Sequence, residues 1–285
     1  MTLQLVREHP ETIDYQHGLC TCWNQVASFQ ASKGRLREAN AASQEAWTIA
    51  DKLVRKYPRV EKPLGALNVA FRDLVGRARS AGKPLEGLNW CQKQIETLEV
   101  VLQQPGRVQA APWHLCYAYV QGGRVLDELG QHCEAVMEFS RALDLADEQP
   151  HRHRLLLRPW VLAHMGQHAA ATAQACASAS QAPVMDRCLY YAACVHSLAS
   201  ETARNDSNLS PADRSQLAEE YATRALNFLN QARANGYFKN AVNIVPLKMD
   251  DDFAPLRKRA DFGQFLLLLE QEKGWQAQPS GAARK

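Results

Sequence analysis

Three glycines at a constant step constrain this chain more than any other feature: Gly34, Gly82 and Gly130 stand 48 and 48 residues apart. Glycine adopts the left-handed conformation that ends a helix at little cost, so each reads as the turn between two helices. The flanking residues repeat as well. Trp23, Val26 and Ala27 precede Gly34; Phe71, Leu74 and Val75 precede Gly82; Tyr119, Gly122 and Gly123 precede Gly130. After the turns come Leu36, Ala39 and Ala46, then Gly87 and Cys91, then His132, Ala135 and Ala142. LVREHP at 5–10 parallels LVRKYP at 53–58, again 48 residues on. A fixed period with matched residue classes marks stacked supersecondary units.

The stretch 130–145, GQHCEAVMEFSRALDL, carries the chemistry of the packing. Ala135, Phe139 and Ala142, four and three residues apart, lie on one helical face. The alanines admit a neighbouring helix closely, and Phe139 fills the space between them. On these residues the chain resembles the tetratricopeptide repeat, whose unit is about 34 residues in two helices. The resemblance implies an all-α fold: a right-handed α-solenoid of about five helical hairpins closed by a C-terminal capping helix. The longer step calls for longer helices or connectors.

Composition narrows the function classes. A chain 46% hydrophobic and 22% charged is globular. Thirty-three Lys plus Arg against 30 Asp plus Glu leave +3, too little to imply nucleic acid. No run of eighteen apolar residues could span a membrane. The first residues, MTLQLVREHPE, lack the apolar core of a secretory signal. The eight cysteines sit mainly in helical stretches beside apolar neighbours, which suits reduced, buried thiols in a cytoplasmic protein.

In order, residues 1–14 read as the end of a preceding repeat helix or a linker, 15–240 as the array, 241–273 as the cap and 274–285 as a loose tail. A solenoid end exposes an apolar face unless it is capped, so the expectation is either that the chain is the C-terminal piece of a longer protein or that something covers Leu3, Leu5 and Val6. Helices are expected at 15–33, 36–57, 63–81, 84–103, 112–129, 132–148, 151–165, 168–180, 185–204 and 211–235. Pro159 should kink its helix by removing a backbone bond. Short turns are expected at 242–248 and 254–257, then a helix at 260–273 whose FLLLL run folds back on the last hairpin.

The C-terminal half carries a second resemblance. YYAACVHSLA at 190–199, LSPADRSQLAEEYATRAL at 209–226, ARANGYFKN at 232–240 and LKMDDDFAPLRKRADFGQFL at 247–266 follow an order similar to the C-terminal region of bacterial serine/threonine protein kinases. That resemblance implies a regulatory or substrate-recruiting tail whose catalytic domain lies elsewhere. The sequence has no Gly-rich phosphate loop, HRD-type catalytic loop or DFG-type metal loop of its own.

Catalytic, metal and cofactor sites are not expected. Cys20 and Cys22, two apart on a helix, point to opposite sides. His132, His151, His153 and His164 show no neighbouring acidic partner in the sequence and read as solvated loop histidines. Asp250, Asp251 and Asp252 lack a calcium-loop pattern and read as an acidic capping turn. The serines lack a nucleophile-elbow context. What remains is a binding face on the first helix of each hairpin: Asn24 and Ser28, then Arg72 and Arg79, then Tyr117, Arg124 and Asp127, then His153 and Trp160. Forked guanidinium donors suit carboxylates and aromatics give apolar contact, so the expected partner is a protein or peptide with acidic groups favoured. Nucleic acid and membrane are not expected partners.

Overall fold

The computed structural model describes residues 2–9, 11–106, 108–149, 151–180, 186–240, 243, 244, 247 and 250–272, with side chains left out at 2–4, 151–154 and 186. Among the described residues every regular element is helical. The chain divides into two compact units, Met1–Gln149 and Pro150–Lys285.

The first unit holds α1 (Thr2–Glu8), α2 (Ile13–Ser32), α3 (Leu36–Lys56), α4 (Glu61–Ser80), α5 (Pro84–Leu102), α6 (Ala111–Glu128) and α7 (His132–Asp147). Each expected helix is present, with ends moved by a residue or two. Gly34, Gly82 and Gly130 all have positive φ, at 72°, 67° and 74°. The residue after each glycine donates its backbone N–H to a carbonyl five positions back: Arg35 to Gln30, Lys83 to Ala78 and Gln131 to Leu126. That bond satisfies carbonyls the ending helix leaves open and turns the chain into the next helix. Consecutive helices pack as hairpins, and alternate helices also touch: α2 with α4, α4 with α6, and α3 with α5. First helices thus form one row and second helices another.

Small residues set the spacing between the rows. Ala39, Ala46, Ala135 and Ala142 are buried, as is Phe139. The period reappears as a polar contact: the Cys20 thiol donates to the Ala46 carbonyl at 3.1 Å and the Cys116 thiol to that of Ala142 at 3.3 Å. These pairs are two periods apart, 116 − 20 = 142 − 46 = 96. In the middle hairpin the register holds Asn68 and Gln94, and Gln94 Oε1 accepts from Trp47 Nε1 at 3.0 Å.

The second unit holds α8 (His151–His164), α9 (His168–Ala179), α10 (Asp186–Asn205), α11 (Pro211–Ala234), 3-10 turns at Tyr237–Lys239 and Asp251–Leu256, and α12 (Ala260–Glu272). Gly166, φ 78°, makes the α8–α9 turn, and α8 stays helical through Pro159. Ser210 caps α11, accepting from the Asp213 N–H and donating to its carboxylate. Asp250 caps the second 3-10 turn by accepting from the Asp252 N–H at 3.1 Å. Tyr190 on α10 gathers the aromatics of the C-terminal segment, with the rings of Tyr237 at 5.3 Å and Phe253 at 5.5 Å.

One expectation needs correcting. The FLLLL run is only partly covered: α12 packs on α11 and buries Phe262, Phe265 and Leu269, while Leu267 and Leu268 face solvent. A 3.6-residue period carries five consecutive apolar residues more than once round the helix, so one packed face cannot hold them all. At the start, Leu5 and Val6 are half-buried in α1, which packs on α2; the side chain of Leu3 lies outside the described residues. The turns expected at 242–248 fall mostly outside the described residues, as does the tail at 274–285.

Candidate functional site

The row α2–α4–α6 brings the first-unit candidates together on successive helices. Asn24 and Arg72 share a register one period apart, 72 − 24 = 48, as do Arg79 and Asp127, 127 − 79 = 48. Ser28 and Arg124 share one two periods apart, 124 − 28 = 96. Ser28, Arg72 and Asp127 are exposed; Asn24, Arg79, Tyr117 and Arg124 are half-buried.

Several of these side chains also hold the row together. Asn24 Nδ2 donates to the Ala66 carbonyl at 3.1 Å, joining α2 to α4. The Tyr117 ring meets Phe71 edge-on at 6.2 Å between centroids. Arg79 Nε donates to Glu128 Oε1 at 2.8 Å, tying α4 to α6. Asp127 lies 2.7 Å from His132 Nδ1 across the hairpin turn. Arg124 Nη1 reaches Gln121 Oε1 at 3.4 Å, and Arg72 lies 3.6 Å from the Asp73 carboxylate. The guanidiniums are therefore positioned by acids and amides of the same row. Glu128, absent from the sequence-based candidates, belongs to this surface, and Gln121, likewise absent, is buried behind it. Glu128 lies 49 residues from Arg79, one more than the repeat step, so the period by itself points to Asp127 and not to the Glu128 that the guanidinium meets.

Burial sets the electrostatics behind this row. Arg77 is held below the usual guanidinium range by desolvation, opposed by Asp73 beside it. Its Nη2 donates to Ser43 Oγ at 2.5 Å, which fixes α4 on α3. Burial pushes the Tyr119 hydroxyl up, and the hydrogen bond it donates to Glu99 at 2.7 Å acts the same way.

His153 and Trp160 belong to the second unit. The side chain of His153 lies outside the described residues. Trp160 is 4% exposed, and its indole Nε1 donates to Asp252 Oδ2 at 2.6 Å. This ring therefore offers no surface to a peptide; it anchors the acidic turn. His164, read as solvated, is instead 4% exposed at its side chain, with Nε2 3.2 Å from Asp252 Oδ1. His168 Nε2 likewise meets Asp206 Oδ2 at 3.1 Å. Acidic partners of these histidines lie 88 and 38 residues away in sequence, 252 − 164 and 206 − 168, which is why local reading finds none.

The letters Asp261-Phe262-Gly263 do occur, but in the first turn of α12, with Phe262 buried and Asp261 paired to Arg259 at 2.8 Å. Inside that turn Asp261 Oδ1 accepts from the Phe262 N–H at 2.9 Å. No helix among the described residues is long and apolar enough to cross a membrane. The sequence matches no family model and no curated protein. Fold and site together define a class, an all-helical protein whose neighbouring and alternate helices pack in sequence.

Proposed function

We propose that this protein is a non-catalytic, cytoplasmic interaction scaffold that binds a protein or peptide partner on the concave face of a tetratricopeptide-type array. On this reading the hairpins form a right-handed solenoid of about five repeats, the helix at the C-terminal end serving as its cap. The observation that supports it is the row α2–α4–α6, which repeats polar side chains at the 48-residue step along one line of helices. Arg72 and Arg124 are the groups suited to acidic side chains of the partner, because forked donors match carboxylates. Arg79 serves that surface indirectly through Glu128.

A peptide array read against the wild type and the Arg72→Ala, Arg124→Ala double variant tests the proposal. Loss of acidic-peptide signal is expected; an unchanged profile removes the groove. A narrower reading, the recruiting tail of a bacterial serine/threonine kinase, draws support from the C-terminal motif order, where Phe253, Leu256 and Phe262 are all buried. The coding sequence adjoining this one distinguishes the two readings, since a kinase domain in the same frame supports the second.

A further inference from the structure

Within the second unit, three side chains of metal-ligating type converge in the interior from parts of the chain far apart in sequence. Cys194 comes from α10, Asp250 and Asp252 from the turn before and within the 3-10 segment Asp251–Leu256. One ligand atom from each, the thiol sulfur and two carboxylate oxygens, lies within 4.8 Å of the other two. Cys194 and Asp252 are buried and Asp250 is half-buried.

We propose that Cys194, Asp250 and Asp252 form a binding site for one divalent cation of borderline softness, zinc by class. A thiolate with two carboxylates makes a mixed S,O,O donor set that zinc accepts and that magnesium and calcium, which take oxygen alone, do not favour. Tetrahedral zinc holds S and O ligands about 3.4–3.8 Å apart, so small rotamer shifts bring these three into range. A water completes the fourth position.

The surroundings are those of a supported site. Trp160 Nε1 donates to Asp252 Oδ2, and His164 Nε2 stands beside its other oxygen at 3.2 Å. Tyr190 donates its hydroxyl to Asp250 Oδ2 at 3.3 Å. Each carboxylate thus has an oriented outer partner, the arrangement that fixes ligands around a metal. On binding, the Cys194 S–H bond breaks, its proton passes to buffer, and the sulfur pair forms the S–metal bond. The ion would join α10 to the acidic turn and, through Asp252, to α8.

Cobalt(II) added to metal-free, reduced protein is the probe. One equivalent should produce thiolate-to-cobalt charge-transfer absorption, displaced by zinc, together with a raised melting temperature. Cys194→Ser should abolish the absorption, while the Cys22→Ser, Cys133→Ser double variant, altering the two exposed thiols, should retain it. Asp250→Asn changes a half-buried group and should keep the fold by circular dichroism. It should weaken cobalt binding at least tenfold. No charge-transfer band with one equivalent, a band that survives Cys194→Ser, or unchanged affinity in folded Asp250→Asn would each overturn the proposal.

Discussion

The ring edge of Phe139 rests on the backbone of Gly123: a methyl group placed on that glycine would stand 2.8 Å from Cε1 of the ring. The contact joins α6 to α7 and explains why the third hairpin needs no side chain at 123. Gly123→Ala is expected to lower stability by about 1–3 kcal/mol, because the buried ring has to move and overpacking outweighs alanine's better helix propensity. Phe139→Ala should cost about 3–5 kcal/mol by leaving a cavity. Urea denaturation of the two variants checks both, and a loss of only a few tenths in Phe139→Ala would mean that the ring does not fill this interface.

Thiol reactivity should divide the cysteines by burial. Cys22 and Cys133 are exposed, whereas Cys20, Cys91, Cys116, Cys188 and Cys194 are buried. Burial pushes the Cys20 and Cys116 thiols up to about 12, so neither supplies thiolate near neutrality. A maleimide pulse on native protein should modify Cys22 and Cys133 first, read by peptide mass mapping. Labelling of Cys20 or Cys116 at the same rate would contradict their packing.

Trp160→Phe keeps most of the ring and removes the N–H that Asp252 accepts. The carboxylate is then left short of a donor in a buried site, at a cost of about 1–3 kcal/mol. Trp160→Phe should therefore melt well below the wild type, whereas Trp113→Phe on half-buried α6 surface should change stability less. Equal melting temperatures for wild type and Trp160→Phe would count against the bond.

His114 is the group for a pH test. Burial alone lowers it from 6.5 to about 4, and its Nδ1 has no hydrogen-bond partner among the described residues. Below pH 6.5 the unfolded chain takes up a proton that the folded chain refuses until about pH 4. Stability is thus fully present above 6.5 and declines between 6.5 and 4, by up to about 3 kcal/mol. Chemical denaturation at pH 7.5 and at pH 4.5 should show His114→Leu losing less stability on acidification than the wild type. Parallel losses would remove His114 as a source.

The amino-acid sequence by itself determined the elements and their step. Glycines at a 48-residue interval can end helices at positive φ whatever surrounds them, and the alanine–phenylalanine–alanine face follows from the 3.6-residue period alone. Cap residues such as Ser210 and Asp250 act within three residues, so they too are local. The partners of polar groups are another matter. Arg79 found Glu128, Trp160 and His164 found Asp252, and Cys194 found Asp250, because helices distant in sequence pack side by side. In the low-dielectric interior each such group requires a counterpart, yet one-dimensional spacing does not say which one packing supplies. Tertiary structure alone decided that Trp160 anchors the acidic turn, and that a lone cysteine shares its surroundings with two carboxylates.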